Sequence, residues 1–421
     1  MAAKTLGASG VLYTDRRDFY IHPNVLKELW TDFTPFTTVM ANRGVTTGMK
    51  DPQYKLFEHR NPWENQRFYN NNDTTSIPGS DTAAEITVDG AVGIKSTADS
   101  SWLGLECEIW DSTETTKKGV VVVTTVKDDT TIEVKNMSST VITPADNDVF
   151  IVIGNASGEG TVARNAYGDE LEVVWNQAQI FKMPIEVTGT LYEAALRGAT
   201  KELARLREQK SAEHKIQKEN AFLRGRSSIG ITGTFGDAGR TTAGGETLRT
   251  TMGLITAIEV HGNSSGDDQN NFTIVEGSYK YSNFVDDMEK VFQYVPEDGM
   301  KKTFCGPGAM SYWSKMGMQK KSGWDVNISP MKRDKLGFNF KELETSHGML
   351  QLIPTFAMRG PYNKTMLVVS DENLEIMQYR KPKFQANIKT DDAYDGVKDQ
   401  YFSDEGIGIT LIESHKLFTI K

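Results

Sequence analysis

Residues 190–225 read TLYEAALRGATKELARLREQKSAEHKIQKENAFLRG, and this stretch does most to decide the fold. It contains no proline and is rich in Ala, Leu, Glu, Lys and Arg, which are strong helix formers. Thr190 and Glu193 have the spacing of a capping box, in which each side chain satisfies a free N–H of the first turn. Gly225 stands where a glycine commonly ends a helix. We therefore predict one helix between Thr190 and Gly225, about 50 Å long at ~1.5 Å per residue.

Only one side of this predicted helix is apolar. Its stripe of apolar residues at helical spacing consists of Leu196, Ala199, Leu203 and Leu206. Glu193 and Arg197 stand four residues apart in the favourable order for an ion pair. Residues 208–219 are mostly charged, so we expect this half to be barely buried, with His214 on the solvated face. A long helix with one wet side is typical of a protein that lies along a surface.

The stretch before the helix has the period of β-strands. Ile86, Val88, Val92 and Ile94 flank Asp89-Gly90, a dipeptide that favours the tight turn of a β-hairpin. Alternating residues from Leu103 to Ile109, and the runs 120–126, 132–134 and 149–153, predict further short strands separated by polar turns. We therefore predict a small all-β module over residues 85–155, inserted into a larger fold.

The segments around this module are extended. Residues 1–45 are rich in aromatic side chains and are interrupted by Pro23 and Pro35, which predicts an arm with a short helix from Leu26 to Phe33. Such an arm needs a cover, and a neighbouring subunit could supply it. Residues 46–84 and 156–189 are predicted to be extended chain on either side of the β-module.

The C-terminal half mixes helices and strands. Helical spacing follows Tyr281 and recurs from Met310 to Met316, and residues 252–260 fit a helix or a strand. Strand patterns occupy residues 303–305, 350–353, 366–369, 374–377 and 407–412. We predict the α+β class with mainly antiparallel strands, divided into 190–272, 273–380 and a return segment over 381–421.

Composition narrows the possible functions. The 421 residues carry a net charge of −9, which argues against a broad grip on DNA or on an anionic membrane. The cysteines, Cys107 and Cys305, are far apart and do not form a disulfide framework, which favours a cytosolic origin. The N-terminus lacks the apolar core of a signal peptide, and no stretch has the ~20 apolar residues of a membrane span.

No motif for catalysis or for metal or phosphate binding stands out. The six histidines lack HExxH or zinc-ligand spacing; they are His22, His59, His214, His261, His347 and His415. Glycines 233, 236 and 239 fit a loop better than a phosphate cradle, and Asp391, Asp392 and Asp395 lack the spacing of a calcium loop. We therefore assign no catalytic, cofactor-binding or metal-binding residue and expect no cofactor and no enzymatic activity.

Three local segments resemble capsid proteins of tailed bacteriophages with the Hong Kong 97-type (HK97-like) fold. Residues 34–39 followed by 51–58 are similar to the entry of the extended loop called the E-loop. Residues 176–190 are similar to the segment that leads into the long spine helix, and 219–225 to its end. The resemblance implies an N-terminal arm (1–45), an E-loop (46–84 and 156–189) around the β-module, a spine helix with a peripheral domain (190–272), an axial domain (273–380) and return strands (381–421).

The resemblance also implies partners and a location. It implies hexamers and pentamers that form an icosahedral head around double-stranded DNA without sequence-specific binding, assembled in the host cytoplasm and retained in the virion. Because the arm begins near Met1, we expect a separate scaffolding protein, together with a portal and possible decoration proteins. No membrane partner is expected.

Three alternatives stay open from the residues alone. One is a nanocompartment shell of the same fold, which would enclose an enzyme. Another is a tail or baseplate component, although a long helix between β-rich regions is unusual for such proteins. The third is a glycan-acting enzyme that uses Trp102 and Trp110, which predicts a concave pocket with converging carboxylates.

Overall fold

The computed structural model describes residues 34–59, 67–89, 103–128, 130–160, 171–193, 202–228, 245–264, 269–294, 299–318, 332–333, 339–388 and 395–421. Within these ranges the chain forms two compact units. The smaller unit is His59–Glu172, and the larger unit consists of the chain before and after it. Most of the predicted arm, with the helix Leu26–Phe33, lies outside the described residues.

The described elements are six α-helices, four 3-10 helices of three residues each and nineteen strands. The helices are α1 (Pro35–Arg43), α2 (Gly189–Glu193), α3 (Glu202–Arg224), α4 (Leu254–His261), α5 (Tyr281–Val291) and α6 (Pro307–Met318). The strands up to the long helix are β1 (Val45–Thr47), β2 (Gln53–Glu58), β3 (Arg67–Asn70), β4 (Ala84–Asp89), β5 (Leu105–Trp110), β6 (Lys117–Val126), β7 (Thr131–Asn136), β8 (Val149–Asn155), β9 (Glu172–Gln177) and β10 (Gln179–Thr188). The later strands are β11 (Asn271–Ile274), β12 (Met300–Cys305), β13 (Lys332–Arg333), β14 (Asn339–Glu344), β15 (Met349–Pro354), β16 (Thr365–Val369), β17 (Leu374–Gln385), β18 (Gly396–Ile409) and β19 (Lys416–Ile420).

One half of the larger unit is built on a four-stranded sheet with the order β1-β17-β18-β10. β10 and β18 are antiparallel and pair from Gln179–Glu405 to Thr188–Gly396. Along β10, buried and exposed residues alternate, because successive side chains of a strand point to opposite faces. The buried face lies under α3. Pro184 fits this strand because β10 is at the edge of the sheet, where a missing N–H costs no ladder bond.

A seven-stranded mixed sheet with the order β11-β19-β16-β12-β15-β14-β13 forms the other half of the larger unit. Its two faces support different cores. Val368 and Phe418 pack with Trp313 of α6 and with residues of α5. Leu367 and Leu417 pack on the opposite face with α4 and with α1. The sheet therefore forms the middle of three layers, an arrangement that buries both of its faces.

The smaller unit is a closed barrel of six antiparallel strands with the order β3-β4-β7-β6-β5-β8. Alternate residues of its strands, such as Val121 and Val123, fill an apolar core. Phe68 and Phe150 face each other across β3 and β8, with their rings stacked 4.8 Å apart. Gly119 leaves room for the side chain of Ile142, because a Cβ at position 119 would lie only 2.3 Å from Ile142 Cδ1.

The structure confirms the α+β class and most predicted elements. The strands at Leu105–Trp110, Lys117–Val126 and Val149–Asn155 and the helices α5 and α6 lie where periodicity placed them. Residues 252–260, which fitted either type of element, contribute to helix α4. Most strand pairs are antiparallel, but β1–β17, β11–β19 and β12–β15 are parallel.

Other details differ from the prediction. The barrel begins with β3 at Arg67, in a segment that was predicted to be extended, because Phe68 has its core partner 82 residues later. Pro35 begins a helix, since proline suits the first turn, where its missing N–H is not needed. The turn after Asp89 in the predicted hairpin lies outside the described residues.

The start of the long helical segment also differs. The N–H of Leu191 donates to Oγ1 of Thr188, so Thr188 and not Thr190 caps the first turn. Residues 194–201, between α2 and α3, are outside the described residues. At the other end Gly225 follows α3 as predicted. A Cβ there would lie 2.4 Å from the carbonyl oxygen of Ala221 and 2.5 Å from that of Thr251, so close backbone approach requires the glycine.

Candidate functional site: the ionic seam of the larger unit

Strand β18 buries polar side chains where a strand usually buries apolar ones. Asp399, Ser403, Asp404 and Glu405 are 0–2% exposed. An isolated charge is very unfavourable in a protein interior, so each buried carboxylate needs a hydrogen-bonded partner. The partners come from α3 and from residues far away in the sequence.

Three contacts join α3 to one face of β18. Arg207 donates from Nε and Nη2 to Oδ2 of Asp399, at 2.8 and 2.7 Å. His214 Nε2 lies 3.0 Å from Ser403 Oγ, and Lys218 forms an ion pair with Glu405. These six residues are called the ionic seam below. Because helix and strand run in the same direction along it, the seam fixes the register of α3 on the sheet.

The charged half of the long helix is more buried than the sequence predicted. His214, expected on the solvated face, is only 7% exposed, and Glu219 is completely buried. One side of the second half of α3 is therefore covered in spite of its charges, because β18 offers groups that complement them. Burial and the nearby Lys218 lower the pKa of His214, against the opposing effect of Glu405.

Asp404 points to the opposite face of β18. Its Oδ2 accepts from Arg249 Nη2 at 3.2 Å and from Arg380 Nε at 3.0 Å. Two arginines from different segments therefore converge on one buried oxygen. Charge-assisted bonds of this kind are roughly twice as strong as neutral ones, which allows Asp404 to stay buried.

Glu219 connects the end of α3 to α1. Its Oε2 accepts from the backbone N–H and from Oγ1 of Thr37, at 3.2 and 3.1 Å. It thus serves as the N-terminal cap that Thr34 does not provide with its own side chain. The other oxygen, Oε1, has no hydrogen-bond partner among the described residues. Burial raises the pKa of Glu219 to about 7, although the bonds from Thr37 act in the opposite direction.

The segments that flank residues 59–171 are anchored to the end of β18. The Tyr54 hydroxyl of β2 donates to the carbonyl oxygen of Ile407 at 2.7 Å, and Asn176 Nδ2 of β9 donates to the same oxygen at 2.8 Å. The Leu411 N–H donates to Glu58 Oε1 at 2.7 Å. Leu411 has φ of 47°, a left-handed conformation that is unfavourable for leucine, and this bond helps to hold it.

A second set of buried cations lies in the seven-stranded sheet. Lys301 Nζ donates to the carbonyl oxygens of Val291 and Ser414, at 2.8 and 3.2 Å. Val291 is the last residue of α5, where helix carbonyls favour a positive charge. Burial and the charge of Lys416 lower the pKa of Lys301 to about 7. Burial, assisted by Lys301, lowers the pKa of His415 to about 3, so His415 is neutral at pH 7.

The residues considered for chemistry from sequence do not converge. His59, His261 and His347 are exposed, and His22 is outside the described residues. His214 of α3 is buried against the four-stranded sheet, and His415 is buried just before β19 of the seven-stranded sheet. Residues 233–239 and 391–392 are also outside them. Both cysteines are buried free thiols. In the described part of the chain, no group of three or more His, Cys, Asp or Glu side chains is arranged to hold a metal ion.

The enzyme alternative required a pocket with converging carboxylates. An open depression is lined by Gly189, Thr190, Tyr192, Glu193, Asp395, Gly396 and Val397. It contains two acids and no histidine, and Trp110 does not line it. Trp102 lies outside the described residues. Trp110 instead donates from Nε1 to Glu108 Oε2 at 2.9 Å. No helix within the described ranges is long and apolar enough to cross a membrane.

Sequence reasoning missed the ionic seam. One local signal was present, because Asp399, Ser403 and Glu405 fall on the same face of an alternating strand. The matching signal on α3, Arg207, His214 and Lys218, has helical spacing along one side. Both patterns are also typical of solvated surfaces, so only their juxtaposition identifies a buried seam.

Comparison with known proteins gives a family match and several distant structural likenesses. The family model described as SU10 major capsid protein matches residues 29–402. No curated protein matches this chain. The capsid of a native GTA particle is 8% identical, with a TM-score of 0.46 and coverage of 99% of each chain. Mycobacterium phage Bobi is 11% identical, with a TM-score of 0.39, over 63% of this chain and 80% of that one. The SrpI encapsulin of Synechococcus elongatus PCC 7942 is 8% identical, with a TM-score of 0.36, over 60% and 77%.

Proposed function

Because this chain belongs to the SU10 major capsid protein family, we propose that its copies assemble as hexamers and pentamers into an icosahedral head around phage double-stranded DNA. The chain is a major capsid protein and a structural component of the bacteriophage virion. The observation that carries the proposal is the family match, which spans 374 of the 421 residues.

The order of parts is that expected for the HK97-like capsid fold. An extended excursion containing the β-barrel precedes the long helix, and the mixed sheet and the return strands follow it. In this proposal α3 is the spine helix, β2, β9 and β10 belong to the E-loop region, and the seven-stranded sheet is the axial domain. The ionic seam would give each subunit a fixed joint between the spine helix and the strands that it carries.

Exposed apolar side chains support assembly with other copies. Phe57 is 69% exposed, Tyr192 56% and Val275 53%. Large apolar side chains left in water are typical of surfaces that meet partners. They occur in three separate segments of the larger unit, as expected for a subunit with several neighbours.

We further propose a separate scaffolding protein, a portal and possible decoration proteins as partners, with assembly in the host cytoplasm. The net charge of −9 supports a wall that encloses DNA without gripping it. We also propose that the chain catalyses no reaction. The open depression at Glu193 and Asp395 does not contradict this proposal. No specific contact favours the nanocompartment alternative.

The test is expression of the full chain alone and together with the candidate scaffolding protein encoded nearby, followed by electron microscopy. Closed shells or six-fold rings are expected. Shells recovered from infected cells should protect double-stranded DNA from nuclease. A uniformly monomeric product under both conditions would overturn the assembly proposal, and shells filled with a host enzyme would favour the nanocompartment.

A further inference from the structure

The face of the four-stranded sheet opposite to α3 carries a cluster of cations. Lys182 of β10, Phe402 of β18 and Lys383 of β17 are aligned across three neighbouring strands. Arg380 lies 4.4 Å from the centroid of the Phe402 ring, and Lys383 lies 5.5 Å from it. Lys398 is four pairs further along the same sheet, opposite Glu186. Lys182, Arg380 and Lys383, which lie around Phe402, and Lys398 further along the same face are called the basic face below.

This face is open at the surface of the larger unit. Lys182, Pro184 and Lys383 are exposed, and Ile180 is 37% exposed. The acids among them are largely committed: Asp404 is buried against Arg249 and Arg380, and Glu186 lies 3.6 Å from Lys398. The remaining charge is positive, and exposed apolar side chains stand beside it. A charged surface that includes apolar groups is typical of a protein interface.

The charge of the chain is unevenly divided between its two units. Residues 59–172 contain 19 acidic and 8 basic residues, a net charge of −11. The rest contains 37 acidic and 39 basic residues, a net charge of +2. Exposed carboxylates of the barrel unit include Asp81, Glu85, Asp128, Asp146 and Glu159. Each copy therefore brings one acidic unit and one basic face.

We propose that the basic face binds the acidic barrel unit of a second copy of this chain, an inference that rests on the proposed shell assembly. Charge complementarity selects the partner, because faces of like charge repel each other and faces of opposite charge attract each other during encounter. Two different surfaces of identical subunits make a head-to-tail contact, which is the type of contact that forms a ring when the rotation between subunits closes. The stoichiometry is also matched, since every subunit supplies both surfaces once.

Packaged DNA is the rival occupant of the basic face. Binding to phosphates is supplied mainly by many lysines and arginines, and its strength falls steeply with salt. The basic face has four such residues, and Glu186 lies opposite one of them, Lys398. The acidic barrel is the better match, because it is present in every copy whether or not DNA has been packaged.

The decisive experiment crosslinks shells assembled from a mixture of ¹⁴N- and ¹⁵N-labelled full-length chains. A carbodiimide activates a carboxylate as an O-acylisourea, and the deprotonated amine of a lysine in contact with it then forms the amide while the reagent leaves as a urea. We expect mixed-isotope links between Lys182 or Lys383 and carboxylates of residues 59–172, in empty as well as in filled shells. Links of these lysines only within one copy, or only to carboxylates outside 59–172, would overturn the proposal. Protection of both lysines in filled shells only would identify DNA as the occupant and overturn it too.

A charge-reversal variant supplies the functional test. Lys182→Glu with Lys383→Glu should lower shell yield about tenfold, because it places like charges in contact. The isolated variant should keep the unfolding midpoint of the native chain, since both side chains are exposed. The matched control is Lys50→Glu with Lys215→Glu, two exposed lysines outside the basic face. Failure of the native chain to form shells refutes the assembly proposal, whereas native shells with an unaffected double variant refute only this contact.

Discussion

The barrel of the smaller unit and the ionic seam of the larger unit bury strand faces with opposite chemistry. In the barrel, Val121 and Val123 of β6 point into an apolar core. In the seam, Asp399 and Ser403 of β18 point towards α3 and are equally buried. Apolar burial is non-directional and proportional to area. Burial of charge requires a specific partner in a specific place.

The difference has a consequence for specificity. The barrel core tolerates any apolar set of similar volume, although its stability depends on filling that volume. The seam contributes less net stability, because the desolvation of ions offsets much of their attraction. It penalises any other register of α3, in which Arg207 and Lys218 would lose their partners. A shell subunit that must present identical surfaces to many neighbours benefits from such a fixed register.

The largest expected effect tests the apolar side of the comparison. Phe150→Ala removes one ring of the stacked pair with Phe68 and should destabilise the barrel by about 4 kcal/mol through lost burial and a cavity. Denaturant unfolding of the monomer, combined with amide exchange in β3 and β8, measures the loss. Ile153→Ala, on the same strand but 53% exposed, is the control and should cost under about 1 kcal/mol. An equal loss in both variants would contradict a core role for Phe150.

The next effect tests whether the seam depends on pairing or on charge itself. Lys218→Met leaves Glu405 buried with only the bond from Gln378, and should cost about 3 kcal/mol. The double variant Lys218→Met with Glu405→Leu should recover to within about 1 kcal/mol of the native chain, because both charges are gone. Amide exchange in β18 is the readout. Lys215→Met, on the exposed side of α3, is the control, and a double variant as unstable as the single one would refute the pairing argument.

The titration of Glu219 makes the cost of burying a charge measurable as a pH dependence of the free energy of unfolding. Its pKa in the folded chain, about 7, is above its ordinary value of 4.5, so its contribution to stability is fully present below about pH 4.5 and is lost as pH rises through 7. Glu219→Gln abolishes this titration. The free energy of unfolding of the variant relative to the native chain should therefore rise by about 2–3 kcal/mol between pH 5 and pH 8. His214 titrates in both chains and cancels in the difference.

The control for this pH series is Glu213→Gln, an acid on α3 whose side chain is 44% exposed. Its difference from the native chain should stay nearly constant over the same range. A constant difference for Glu219→Gln as well would show that the buried carboxyl does not titrate near neutrality.

The smallest effect concerns the start of the helical segment. Thr188→Ala removes the hydroxyl that accepts the Leu191 N–H and should cost about 0.5–1 kcal/mol. Thr190→Ala should be close to neutral, because Thr190 is exposed inside the helix. Amide exchange at Leu191 distinguishes them. A larger loss of stability for Thr190→Ala than for Thr188→Ala would instead support the capping box of Thr190 and Glu193 predicted from the sequence.

The elements that sequence predicted well depend on local patterns. The alternation in Leu105–Trp110 and the helical spacing after Tyr281 each place one apolar face of an element against a core. The predicted β-module began too late because Phe68 stands in a polar stretch and has its partner far away at Phe150. The same limit explains why Pro35 was taken as a break: the glutamate that caps its helix is Glu219.

The sequence by itself determined the class of the fold, the long charged helical segment, the inserted β-rich region and the absence of a legible catalytic motif. Tertiary structure alone decided which charges are buried. Arg207 and Asp399 are 192 residues apart, and the sequence around Asp399 does not show that its carboxylate will be buried. The physical reason is that apolar burial follows from a residue's own chemistry and the local period. Burial of an ion depends on a counter-charge that only the folded chain brings into contact.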